Sequence, residues 1–131
     1  MKVLDTDTSV EAIRQNPRVL ERIDSERGRL SLATISVAEL FYGAAKSRDP
    51  ERERIEVRRF AGLFGLLGLD LASALIFGDT KALLESEGRR LPDADLLIAS
   101  ICLAHGALLV TGNRRHFDRI PGLTIEDWIH G

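Results

Sequence analysis

KVLDTDTS, residues 2–9, is an apolar run that ends abruptly in two carboxylates. Val3 and Leu4 read as the inside of a short buried strand. Asp5 and Asp7, with Thr6, Thr8 and Ser9 around them, stand where that strand should hand over to a helix. In an open parallel α/β sheet, ligands bind outside the carboxyl ends of the strands. The stretch therefore predicts a mid-sheet strand with a site at its tip. The same residues also suit a plain helix start, because Asp, Thr and Ser are the preferred N-caps. Taken alone, the stretch leaves both readings open.

Beyond it, Val10, Ile13, Val19, Leu20 and Ile23 recur among charges, and the pattern predicts two short helices broken near Asn16-Pro17. Residues 25–29 form a polar turn, and 30–35 (LSLATI) a second strand. A helix over 36–46 follows, with Ser36 and Glu39 at the spacing of a capping box. Residues 51–64 predict a helix with Ile55, Phe60, Leu63 and Phe64 as its apolar stripe. Residues 66–71 suit a third strand, and 72–87 a helix with Leu75, Ile76, Leu83 and Leu84 inward, stopped by Gly88. The most apolar helix, 91–105, opens with Pro92, Asp93 and Asp95 and ends at Gly106. Residues 107–111 (ALLVT) form a buried strand, 112–117 a turn or helical segment, and 123–125 an edge strand, with Trp128 packing the tail down. Strands alternating with helices argue for a parallel sheet with helices on both faces.

The 131 residues, 44% hydrophobic and 29% charged, suit one domain spanning 1–131. A net charge of −2 does not mark a nucleic-acid binder. The single cysteine, Cys102, excludes a disulfide framework and suits a reducing compartment. No apolar run approaches the roughly 18 residues of a membrane span, and no secretory signal is evident. A cytoplasmic protein without membrane attachment is expected.

The placing of the acids says more than any one motif. Asp5 and Asp7 follow the first strand, Glu39 lies one turn into the helix after the second, and Asp93 and Asp95 open the long apolar helix. Asn113 follows the ALLVT strand just past Thr111. Crossovers of one hand put post-strand positions of a parallel sheet on one edge. Asp5, Glu39 and Asn113 are expected to converge there, joined by Asp95 if its helix starts beside the first strand. Each has a plain structural alternative as cap, dipole partner or turn residue. Together, three unit charges about 4 Å apart repel by roughly 4 kcal/mol per pair at an effective dielectric near 20. A domain stable by about 5–15 kcal/mol does not gather them without a cation. Oxygen ligands without a Cys/His set point to Mg²⁺ or Mn²⁺ and to metal-assisted phosphodiester hydrolysis.

KVLDTDTS, SVAELFYGAAKS, PDADLLIAS and VTGNRRHF-x-x-I-PGL resemble, in order and spacing, the four signature blocks of PIN-domain ribonucleases of the VapC toxin type. The resemblance runs from Lys2 to about Trp128. It implies a three-layer α/β/α domain with a central parallel sheet of four to five strands, usually dimeric. It implies Mg²⁺- or Mn²⁺-dependent cleavage of RNA, restrained by a cognate antitoxin that occludes the site. Residue by residue, it makes Asp5, Glu39 and Asp95 the metal-holding acids. The family's fourth acidic position falls on Asn113, which leaves open whether a second metal is held. It also leaves open whether Asp7 or Asp93 supplements the site. Asp7 and Thr111 match supporting positions. Arg114, Arg115 and His116, beside the site, are candidates to guide the RNA backbone.

Two other enzyme readings start from the same stretch. VLDTDTS also resembles the D-x-D motif of haloacid-dehalogenase-type phosphatases, with Asp5 as nucleophile, but Gly78-Asp79 is not followed by that family's second acid. A receiver-type signalling domain needs an acceptor Asp where the second strand leads instead to Glu39. The non-enzymatic alternative is a binding module that keeps the fold but not the activity, and Asn113 gives it footing. Cys102 and His105, spaced C-x-x-H, read as core and helix end rather than as a zinc site.

Overall fold

The computed structural model describes residues 1–131. Five strands form one parallel sheet: β1 (Lys2–Leu4), β2 (Leu30–Ala33), β3 (Gly65–Leu67), β4 (Leu108–Val110) and β5 (Ile125–Glu126), in the order β3-β2-β1-β4-β5. The first strand is the central one, as its two-sided burial requires. Val3 packs on one face of the sheet and Leu4 on the other, the period-two alternation of a strand covered on both sides.

Seven helices make the outer layers: α1 (Thr6–Ile13), α2 (Pro17–Ser25), α3 (Thr34–Ala45), α4 (Pro50–Ala61), α5 (Leu71–Ser86), α6 (Asp93–His105) and α7 (Arg114–Phe117). Leu4, Leu32 and Val110 meet Ala12, Val19, Leu40, Val57 and Phe60 on the face covered by α1 to α4. Val3, Ala33 and Leu109 meet Leu84, Leu96, Ile98, Cys102 and Phe117 on the face covered by α5 to α7. The result is the expected α/β/α sandwich with five strands.

Connections from β1 to β3 wind over one face, and those from β3 to β5 return over the other. The strand order thus reverses between β1 and β4, and such a reversal opens a crevice at the strands' carboxyl ends. The Asp5 N–H donates to the Val110 carbonyl at 2.9 Å, tying the tips of these two strands together.

Several sequence expectations are corrected. The second strand ends at Ala33 and the helix begins at Thr34, two residues earlier than expected. Ser36 is therefore inside α3, so no capping box forms, and its buried hydroxyl has no hydrogen-bond partner. The α1–α2 break does fall next to Asn16-Pro17 as expected, with Gln15, at a φ of 68°, turning the chain just before Asn16 caps α2. On α4, Val57 and Phe60 face the core while Ile55 is exposed, and Leu63 lies beyond the helix end. On α5, Leu84 is buried but Leu75 and Leu83 face outward. The β5 strand lies at Ile125–Glu126, one residue later than the expected edge strand ended. Trp128 is 2% exposed and does hold the tail.

Candidate active site

Asp5 leaves β1 in an extended conformation and caps α1, its Oδ1 accepting the Thr8 N–H at 2.8 Å. The cap fixes the carboxylate at the switch point between β1 and β4. Asp5, Thr6, Asp7, Glu39, Asp95, Asn113 and Phe117 line one cavity of about 80 Å³ there. Four separate segments supply them: the β1–α1 junction, α3, the first turn of α6, and the junction between β4 and α7.

Each acid is held differently. Asp5 is 4% exposed. Burial pushes its carboxyl up from 3.8 to about 6, against hydrogen bonds from Thr111 and Thr8 that favour the charged form, with the Asp7 charge adding to the rise. Keeping Asp5 ionised at neutral pH thus costs the fold roughly 3 kcal/mol at 1.36 kcal/mol per pH unit. Glu39 is partly exposed, and its Oε1 accepts the Thr6 hydroxyl in a short hydrogen bond. Asp95 Oδ2 lies 3.0 Å from His116 Nδ1, which is also 3.0 Å from the side-chain amide of Asn113.

Of the other candidates, Asp7 lines the cavity but is largely exposed. Thr111 is fully buried behind the lining and accepts the Asn113 N–H at 3.0 Å. Asp93 is not part of the cavity. It sits exposed at the α6 N-terminus and pairs with Lys81 of α5 at 3.0 Å. Arg114 and Arg115 are exposed on α7 beside the rim, whereas His116 is half-buried with its ring on Asp95. Two contributors escaped the sequence reading: Thr6 as the hydrogen-bond partner of Glu39, and His116 as the partner of Asp95. The i,i+3 spacing of Asn113 and His116 was the only sequence sign of the second.

A family model for the PIN domain matches residues 2–123. The tRNA(fMet)-specific endonuclease VapC of Shigella flexneri is 35% identical over 127 residues, covering 96% of each chain. Ribonuclease VapC2 of Haemophilus influenzae is 34% identical over 128 residues, covering 97% of each. The chain belongs to the VapC ribonucleases of the PIN-domain family. Solved VapC structures match it almost throughout. The DNA-bound VapBC of Salmonella typhimurium superimposes with a TM-score of 0.93 at 36% identity, covering 97% of each chain. The VapBC2 of Rickettsia felis, bound to a fragment of its promoter DNA, gives 0.91 at 30% identity, covering 97% of this chain and 98% of that one.

Membership in the VapC family sets aside the phosphatase and receiver readings. Gly78 and Asp79, on which the phosphatase reading leaned, are exposed on α5 and away from the cavity. Cys102 is core, with burial first and the Asp5 charge second pushing its thiol up to about 12, while His105 is exposed. No helix of this VapC-family chain is long and apolar enough to cross a membrane.

The cavity suits a hard cation by its donor chemistry: four carboxylates (Asp5, Asp7, Glu39 and Asp95), one amide and no sulfur. A buried carboxylate with hydrogen bonds from Thr8 and Thr111 but no cationic side chain beside it is a second sign of fit. No three Asp, Glu, His or Cys side chains stand close enough to ligate one ion directly. An ion held here would therefore keep several of its waters and use only one or two carboxylates directly, as Mg²⁺ does.

Proposed function

We propose that this chain is a Mg²⁺-dependent endoribonuclease, with Mn²⁺ able to substitute. It would act as the toxin of a toxin–antitoxin pair in the cytoplasm. The observation that carries the reading is the convergence of Asp5, Glu39 and Asp95, with Asn113, on one small cavity at the β1/β4 switch point.

Asp5, Glu39 and Asp95 are the residues that would hold the ion, one or two of them directly and the rest through its waters. Bound there, it would lower the pKa of a water and offset charge on the phosphate. Asp5 is fixed by its capping bond, Glu39 by Thr6 and Asp95 by His116, so the carboxylates are oriented before substrate arrives. Arg114 and Arg115, free of ion pairs on the rim side, suit contacts to phosphates flanking the cut. Water adds to phosphorus in line, the P–O3′ bond breaks, and O3′ leaves with a proton. Relatives that are tRNA(fMet)-specific endonucleases make initiator tRNA the first substrate to try.

The partner in this reading is a small cognate antitoxin, supported by the VapBC complexes among the similar structures. A second copy of the chain is also part of it: Leu66, Leu69, Leu71 and Leu75 stay exposed along the β3 edge and the start of α5.

Cleavage of initiator tRNA should require Mg²⁺ or Mn²⁺, stop with EDTA, and fall at least about 100-fold in Glu39→Gln, beyond what outer-shell partners contribute. Divalent-independent cleavage would refute the metal assignment. A folded chain that binds neither ion and cuts no RNA would instead be the binding module for which the neutral Asn113 leaves room.

A further inference from the structure

The one-turn helix α7 carries an unusual start. Asn113 occupies its N-cap position but makes no side-chain cap bond, although Asn is among the favoured capping residues. Its amide lies instead 3.0 Å from His116 Nδ1, and the same nitrogen lies 3.0 Å from Asp95 Oδ2. Three positions apart on a helical turn, Asn113 and His116 share a face, and that face meets the first turn of α6.

This turn is firmly seated. Phe117 at its end is 1% exposed in the core. The Asn113 N–H is held by the Thr111 hydroxyl at 3.0 Å. Gly112, just before it, approaches the tail so closely that a Cβ there would meet Ile129 Cδ1 at 2.8 Å. The His116 ring is thus presented to Asp95 by a braced segment.

We infer that His116 is a positioning residue for the reaction: its Nδ1–H donates to Asp95 Oδ2 and fixes that carboxylate with Oδ1 turned to the cavity. The inference rests on the endoribonuclease reading. It replaces a direct contact between His116 and RNA with an action through Asp95. Nδ1 carries either a proton or a lone pair, and an ionised carboxylate can only accept. The Asp95 contact therefore requires the proton on Nδ1. The Asn113 side-chain amide then turns its oxygen to the same N–H, which it shares with Asp95 Oδ2. The pair Asn113–His116 thus does for Asp95 what Thr6 does for Glu39 and Thr8 for Asp5.

The test compares wild type with His116→Ala, His116→Asn and Asp95→Ala. Asn at 116 places an amide N–H close to where Nδ1 stood. His116→Ala should lower kcat for initiator tRNA by about 10–100-fold, the range for residues that orient metal-holding groups, with KM unchanged. Mn²⁺ binding, read by electron paramagnetic resonance without RNA, should weaken by a similar factor. His116→Asn should recover most of both losses. His116→Ala that matches wild type in kcat and Mn²⁺ binding, or that raises KM alone, would overturn the inference. A long-range ¹H–¹⁵N spectrum of the metal-free protein provides an arm that needs neither substrate nor ion. It should show His116 protonated at Nδ1 in the wild type and changed in Asp95→Ala, and a ring protonated only at Nε2 would overturn the hydrogen bond itself. Wild type that neither binds Mn²⁺ nor cuts RNA overturns the nuclease reading and the catalytic part of this inference, while the spectrum still decides the geometric part.

Discussion

The Asp5 carboxylate accepts the backbone N–H of Thr8 at 2.8 Å while forming the wall of the acidic cavity, so one side chain both starts α1 and belongs to the site. The helix-cap and active-site readings of KVLDTDTS are therefore the same geometry. A capping bond holds the carboxylate where its charge is least well solvated, and that charge is the one most in need of a cation.

The two roles separate by substitution. Asn caps a helix about as well as Asp but removes the charge. Asp5→Asn should melt no lower than wild type in EDTA at neutral pH, and RNA cleavage should fall at least about 100-fold, beyond the effect of outer-shell changes. Asp5→Ala should lose a similar amount of activity and melt lower than Asp5→Asn by the equivalent of about 1 kcal/mol, the usual worth of a cap. Calorimetry in EDTA alongside an RNA cleavage assay reads both. An Asp5→Asn protein as active as wild type would remove Asp5 from the site.

Thr6 offers a subtler change. Its hydroxyl donates to Glu39 Oε1, and its side chain lines the same cavity. Thr6→Val keeps the shape and deletes the donor, so kcat should drop by about 10-fold or more while the melting temperature barely moves. Steady-state kinetics and a thermal melt on one preparation suffice, and an unchanged kcat would show that Glu39 needs no help in finding its orientation.

The sequence made the strands and the acids legible because both depend on short-range features. β1 and β4 are short apolar runs with abrupt ends; Asp5 and Asn113 follow a strand, Asp95 stands in the first turn of a helix, and Glu39 lies within the helix after β2. Helix faces were harder to read. Leu75 and Leu83 fit an inward stripe by spacing alone, yet the side of α5 that meets α6 is the one carrying Leu84. Ser36 and Glu39 satisfied a local capping pattern, but α3 starts at Thr34, and Glu39 is bound by a residue 33 positions away. His116 could be placed beside the site but not given its partner, because the α6–α7 approach that brings it to Asp95 leaves no local trace.

Those misplaced faces carry a stability prediction. Ile55 is 55% exposed on α4 and Leu84 is 2% exposed on α5. Ile55→Ser should change the stability of the isolated chain by no more than about 0.5 kcal/mol. Leu84→Ala, which leaves a cavity against Leu96 and Ile98, should cost about 2–5 kcal/mol. Urea denaturation midpoints at matched m-values provide the comparison. A costly Ile55→Ser would mean that α4 packs by the face that its sequence stripe suggested.

The far end of β1 predicts a pH dependence separate from the catalytic cavity. Lys2 Nζ pairs with Glu26 at 2.6 Å and Glu126 at 3.1 Å, and Arg22 pairs with both acids. The Lys2 hydrogen bond holds Glu26 below its ordinary value of 4.5. Burial alone would raise Glu126, but the Trp128 N–H, Lys2 and Arg22 outweigh it and leave that group lowered as well. Lys2 is itself raised above 10.5, chiefly by Glu26. Depressed acids stabilise the fold above their unfolded value and lose that contribution as pH falls through the lower folded one. A raised lysine stabilises below 10.5 and loses its contribution as pH rises through the higher folded value. Lys2→Gln should therefore lower stability by about 1 kcal/mol at pH 7, the upper end for partly exposed pairs. The deficit should shrink as pH falls below 4.5 and Glu26 and Glu126 protonate, and again as pH rises above 10.5 and Lys2 of the wild type loses its proton. Denaturation at pH 3, 7 and 11 reads the three regimes. A deficit equal at all three would assign the Lys2 contribution to its apolar stem and not to its charge, carried by Nζ 5.8 Å from the Trp128 ring centre.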